Sequence, residues 1–132
     1  MSSIKSVENF YKKYNNKRLA DCGCEVSKEY RLYQNAFIRM MKDIAASIGA
    51  NVVKTTKGHY YESLFLERDG KHIYVFHENT DRTFIGCDSE RFIYYRTASS
   101  DNDYNGGTNR NTSLKLLQFN LDRLFENFES AK

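Results

Sequence analysis

The chain has 132 residues, 40% of them hydrophobic, and its 20 Lys and Arg exceed its 17 Asp and Glu to give a formal charge of +3. That length and apolar content fit a single domain, residues 1–132, able to bury a core without disulfide or metal staples. The pI of about 8.7 lies below the usual nucleic-acid footprint, no apolar run nears the ~20 residues of a membrane span, and the first residues hold no apolar signal core, so the cytoplasm is the expected location.

Ser3 is placed to cap a first helix carrying Ile4, Val7, Phe10, Tyr11 and Tyr14 on one side. Lys12, Lys13, Lys17 and Arg18 form a basic patch at its end, whose plain reading is a solvated helix terminus. Cys22 and Cys24 flank one glycine, closer than the usual spacing of zinc thiolates, and Cys87 is the third thiol of an odd set. The reading is reduced thiols beside a tight turn, with no metal and no cofactor. Ser27 then caps a second helix whose stripe is Tyr30, Tyr33, Phe37, Met40, Met41, Ile44 and Ile48, with Gly49 as its C-terminal stop.

From residue 51 the pattern changes to short extended runs. NVVKTT leads to a turn at Lys57–Gly58, and YYESLFLE leads to Asp69–Gly70, a strong hairpin signal. KHIYVFHE, TFIGC and RFIYYRT complete an antiparallel meander of about five strands. Thr112 or Ser113 caps a last helix with Leu114, Leu117, Leu121, Leu124, Phe125 and Phe128 on its core stripe. Two helices before the sheet and one after it predict an α+β domain.

Alternation within the strands is imperfect. Ile73 and Val75 oppose Tyr74 and Phe76, and Ile93 and Tyr95 oppose Phe92 and Tyr94. Either both sheet faces are covered, or one keeps an aromatic surface for a partner. The long polar segment after the last strand points the same way. Asp101, Asn102 and Asp103 fold turns, Gly106 and Gly107 permit close approach, and Arg110 stands just ahead of a helix start that attracts anions. Tyr94, Tyr95, Arg96, Tyr104, Gly106, Gly107, Asn109 and Arg110 are therefore the candidate ligand-binding residues. Tyrosines would stack; Arg96 and Arg110 would pair with phosphates or acidic side chains.

Catalytic patterns are weak. His72 and His77 are five apart and face opposite sides of one strand; His59 sits by a turn. Glu67, Asp69 and Lys71 would suit a metal-dependent nuclease, but they surround a hairpin tip where acids are ordinarily solvated. No catalytic residues are assigned.

Residues 94–111, with Arg96-Thr97-Ala98, then Asp103-Tyr104-Asn105-Gly106-Gly107 and Asn109, resemble a segment of small uncharacterised proteins of bacterial phages and mobile elements. The resemblance implies a setting where DNA handling and counter-defence are common, and it carries no catalytic assignment. The expectation is a small non-enzymatic binding module for nucleic acid or a nucleic-acid-processing complex. The alternative is a protein inhibitor or adaptor of a nuclease or defence effector, anti-CRISPR-like, acting by protein contact. Homodimerisation through a sheet edge or the aromatic face is a further possibility.

Overall fold

The computed structural model describes residues 2–15, 28–58, 60–78 and 87–128. Lys17, Arg18, Cys22, Cys24, Ser27, His59 and the expected strand TFIGC, apart from Cys87, lie outside them. The order of elements is α1 (Ser3–Tyr14), α2 (Lys28–Ser47), β1 (Asn51–Gly58), β2 (Tyr61–Arg68), β3 (Lys71–Glu78), β4 (Ile93–Ala98), β5 (Arg110–Thr112) and α3 (Leu117–Glu126). The strands form one antiparallel sheet in the order β1-β2-β3-β4-β5. With helices on one face, this is the expected α+β architecture. Among the described residues no helix is long and apolar enough to cross a membrane.

The second helix follows its apolar periodicity closely. Tyr30, Tyr33, Phe37, Met40, Met41 and Ile44 are fully or almost fully buried. Gly49 adopts φ +72°, and the Ala50 N–H donates to the Ala45 carbonyl at 2.8 Å while the Gly49 N–H donates to that of Ala46 at 3.3 Å. That pair of bonds is a Schellman cap, which ends the helix where the glycine predicted. In the first helix the cap is Ser2, not Ser3: its Oγ accepts from the Lys5 N–H at 3.3 Å. The buried stripe is correspondingly Ser3, Ser6, Phe10 and Tyr14, and Ile4 stands 70% exposed. The helix packs on α2, where Phe10 meets Tyr33 and Phe37.

The β2–β3 hairpin turns at Asp69 (φ 54°) and Gly70 (φ 81°), both left-handed as a two-residue type I′ loop requires. The β1–β2 turn falls later than Lys57–Gly58, because β1 runs to Gly58, which pairs with Tyr61. The fifth strand also differs from expectation. Arg110–Thr112 pairs with Ile93–Tyr95, so Thr112 lies in a ladder and caps nothing. Its Oγ1 donates to the Ser113 carbonyl and accepts from Asn120 Nδ2. The last helix starts at Leu117 behind Leu116, with no side-chain cap, yet Leu114, Leu117, Leu121, Leu124, Phe125 and Phe128 are all buried as its stripe predicted.

The helix-facing side of the sheet holds Leu64, Leu66, Ile73, Val75, Ile93 and Tyr95 in the main core. Phe92 departs from the alternation: it precedes β4 and its ring joins this core, 4.3 Å from the His77 ring. His77 is buried among Tyr33, Phe37 and Phe92. Its Nδ1–H donates to the Phe92 carbonyl at 2.8 Å, and Nε2 accepts from the Tyr33 hydroxyl at 2.6 Å. Burial pushes its pKa down to about 4. His72 faces the other side, as the five-residue spacing required.

Candidate recognition site

Among the described residues the other sheet face carries no helix. Strand register brings Tyr61, Ser63 and Phe65 of β2, Tyr74 and Phe76 of β3, and Tyr94 and Arg96 of β4 onto it, with Tyr74 opposite Arg96 and Phe76 opposite Tyr94. The rings form a continuous row. Tyr61 stacks on Phe76 at 5.1 Å, Phe65 lies 4.7 Å from Tyr74, and Tyr74 is 6.3 Å from Phe76. Among the described residues, the sheet is covered by helices on one side and carries this aromatic row on the other.

The segment after β4 folds over one end of this surface. Asp103 organises it: Oδ2 accepts from the Ser99 N–H and hydroxyl, and Oδ1 accepts from the N–H groups of Asn105 and Gly106. The Ser99 backbone bond, with those of Gly106 and Asn105, holds the Asp103 carboxyl down at about 2. Tyr104 is carried onto the rings of Phe65 (5.2 Å) and Tyr74 (5.6 Å) but keeps 45% exposure. Lys54 reaches from β1 to bond Asn102 Oδ1 at 2.8 Å and lies 5.2 Å from the Tyr104 ring centre.

Gly107 locks the far side of the loop. At φ +75°, a Cβ there would run into the Thr97 carbonyl of β4. Gly106 lies against the Asp103 carboxylate that its N–H binds. Gly107→Ala is therefore expected to destabilise the domain by at least about 2 kcal/mol in urea unfolding. Wild-type stability in that variant would show that the loop does not close on β4.

The two candidate arginines do not converge. Arg96 is only 4% exposed. Its guanidinium lies 4.7 Å over the Tyr74 ring, donates to the Thr97 and Asp103 carbonyls at 3.1 and 2.7 Å, and stands 3.9 Å from the Asp103 carboxylate. It holds the loop from beneath. Arg110 pairs with Tyr95, whose side chain faces the helices, so it emerges on the opposite side of the sheet. The expected anion cradle at a helix start is absent here for the same reason: Arg110 begins a strand, and α3 begins seven residues later.

A groove of about 330 Å³ remains on the open face. Tyr74, Phe76, Glu78, Tyr94, Tyr95, Arg96, Tyr104 and Asn109 line it. Five of the eight predicted residues thus border one depression: Tyr94, Tyr95, Arg96, Tyr104 and Asn109. Tyr95 is buried and points chiefly into the core, whereas Gly106 and Arg110 lie outside the groove and Gly107 lines a neighbouring polar hollow with Thr97 and Asp103. Tyr74, Phe76 and Glu78 were missed as site residues. Pairing the alternate positions of KHIYVFHE with those of IYYRTA would have found Tyr74, Phe76 and Glu78.

Lys12 and Lys13 sit on α1, which packs against α2 and is remote from the groove. Glu67 and Asp69 form no metal cluster; Glu67 accepts from the Gly70 N–H at 3.5 Å. Among the described residues no group of three or more His, Cys, Asp and Glu is arranged to hold a metal ion. Cys87 is buried, and desolvation lifts its thiol to about 12, far from a reactive thiolate. No protein-family model matches the chain, and no curated protein or solved structure matches it either.

Proposed function

We propose that this chain is a non-enzymatic binding module whose open sheet face and Tyr104 loop receive a protein partner, a component of a nucleic-acid-processing complex. The groove beside Tyr94 carries the reading. Its half-buried rings lie on a face that no described helix covers, and the loop that walls it is fixed in place by Asp103, Arg96 and Gly107. A rigid aromatic depression loses little freedom on binding, and Tyr is well suited to anchoring an interface.

Direct binding of nucleic acid has less support. Among the described residues the cations of this face, Lys54 and Arg96, are already bonded to Asn102 and to the Thr97 and Asp103 carbonyls. Glu67 and Glu78 lie on the face and Asp101 and Asp103 in its loop, an acidic balance that repels phosphates. Proteins that bind nucleic acid present the opposite charge, which favours the inhibitor or adaptor role over a DNA-reading one. The resemblance of residues 94–111 to phage and mobile-element proteins supports the same setting. A binding rather than catalytic role draws on the burial of His77 and the inert Cys87 thiol.

The test is capture from nuclease-treated host lysate, with cross-links mapped by mass spectrometry. Wild-type protein is expected to retain a partner cross-linked at the groove, and Tyr94→Ala with Tyr104→Ala is expected to lose it while keeping a wild-type circular dichroism spectrum. Capture unaffected by that double variant, or abolished by the nuclease, would overturn the reading.

A further inference from the structure

Resting on the open-face reading, we infer that the groove end formed by Phe76, Tyr94 and Glu78 is a subsite for an arginine side chain of the partner. The rings at the other end are spent. Tyr74 is enclosed by Phe65, by Tyr104 and by the Arg96 guanidinium. Phe76 has Tyr61 stacked on one side and Tyr94 as its cross-strand partner on the other. Glu78 follows Phe76 by two residues on the same face and is exposed at the end of β3. Strand geometry separates such neighbours by roughly 7 Å, close enough for one side chain to meet both.

This combination has a specific chemistry. A guanidinium is planar and weakly hydrated, so it stacks on an aromatic face while donating two parallel hydrogen bonds to a carboxylate. An ammonium offers the second contact without the stacking. A phosphate or a partner carboxylate would be repelled by Glu78. A neutral aliphatic side chain would leave that carboxylate partly desolvated without compensation. The sheet already stacks one guanidinium on a ring: Arg96 lies 4.7 Å over Tyr74 one step away along β4 and β3, with its hydrogen bonds going to the Thr97 and Asp103 carbonyls. Asn109, on the groove wall, supplies an amide carbonyl able to accept a further guanidinium N–H.

The probe is a blocked Gly-Arg-Gly tripeptide titrated into the ¹⁵N-labelled protein, beside its lysine analogue and a ten-thymidine oligonucleotide. The arginine peptide is expected to shift the amide signals of Phe76, Glu78, Tyr94 and Asn109, more strongly than the lysine peptide. Glu78→Gln, a change at an exposed side chain, is expected to weaken that binding about five-fold. Three results would overturn the subsite: unchanged arginine affinity in Glu78→Gln, shifts scattered over the surface, or no shift in these residues. Oligonucleotide shifts in these residues that grow with Glu78→Gln would also overturn it, by showing a face that reads nucleic acid. Loss of the subsite alone leaves partner capture dependent on Tyr94 and Tyr104; failure of the wider reading removes that dependence.

Discussion

Arg96→Ala is expected to lower stability by about 3 kcal/mol, seen as a fall of roughly 10 °C in thermal midpoint for a domain of this size. The side chain is buried, and its removal strands the Thr97 and Asp103 carbonyls and uncovers one face of Tyr74. The damage should concentrate in the loop, so the Tyr104 ring should lose its contacts with Phe65 and Tyr74 in the NMR spectrum. Arg110→Ala, at an exposed position on a three-residue edge strand, should leave the midpoint within about 2 °C. Equal midpoints in the two variants would refute the assignment of Arg96 as the loop's internal support. From sequence, the two arginines were equivalent cations flanking a glycine loop. The register separates them: one turns inward beneath Asp103, and the other leaves by the opposite face.

The second large effect concerns acid. His77 is neutral in the folded state because burial disfavours the imidazolium, outweighing the Nδ1–H bond to the Phe92 carbonyl, which favours it; in the neutral ring Nε2 is left to accept from Tyr33. Its folded pKa near 4 lies below the ordinary value of 6.5. Between those limits the unfolded chain binds a proton that the folded chain does not. Stability therefore falls as pH drops through 6.5 and levels off near 4, a loss of about 3 kcal/mol from this group. The groups around it are Tyr33, bonded to Nε2, and Glu62, whose carboxylate is 4.0 Å from Nε2 and is reached by the Tyr30 hydroxyl. Urea midpoints measured from pH 7 to pH 4 should show this slope, and His77→Gln should flatten it, since an amide can still donate to Phe92. Parallel curves for the two proteins would remove His77 as the cause.

These two residues show how buried polar groups divide the labour in a small α+β domain. His77 ties β3 to α2 and to the approach of β4, on the helix side of the sheet. Arg96 ties β4 to its own following loop, on the open side. Both are engaged within the fold, and the rings of β3 and β4 stay on the face that no described helix covers.

Local chemistry in the chain was enough to specify much of this. The stripe from Tyr30 to Ile48 and its Gly49 stop, the Asp69–Gly70 turn, and the opposed faces of Ile73/Val75 and Tyr74/Phe76 follow from periods of 3.6 and 2 and from left-handed glycine positions, all properties of neighbouring residues. They determined an α+β domain, and left open whether its aromatic strand positions would be covered or exposed. What depended on distant pairing was settled only by the fold. Thr112 became a strand residue because Ile93 lies across from it, and Tyr94, Phe76 and Glu78 became one groove because β3 and β4 align there. A ladder joins residues remote in the chain, and a shift of one position would send each side chain to the other face, so register, which no local pattern carries, decided which of the predicted residues meet.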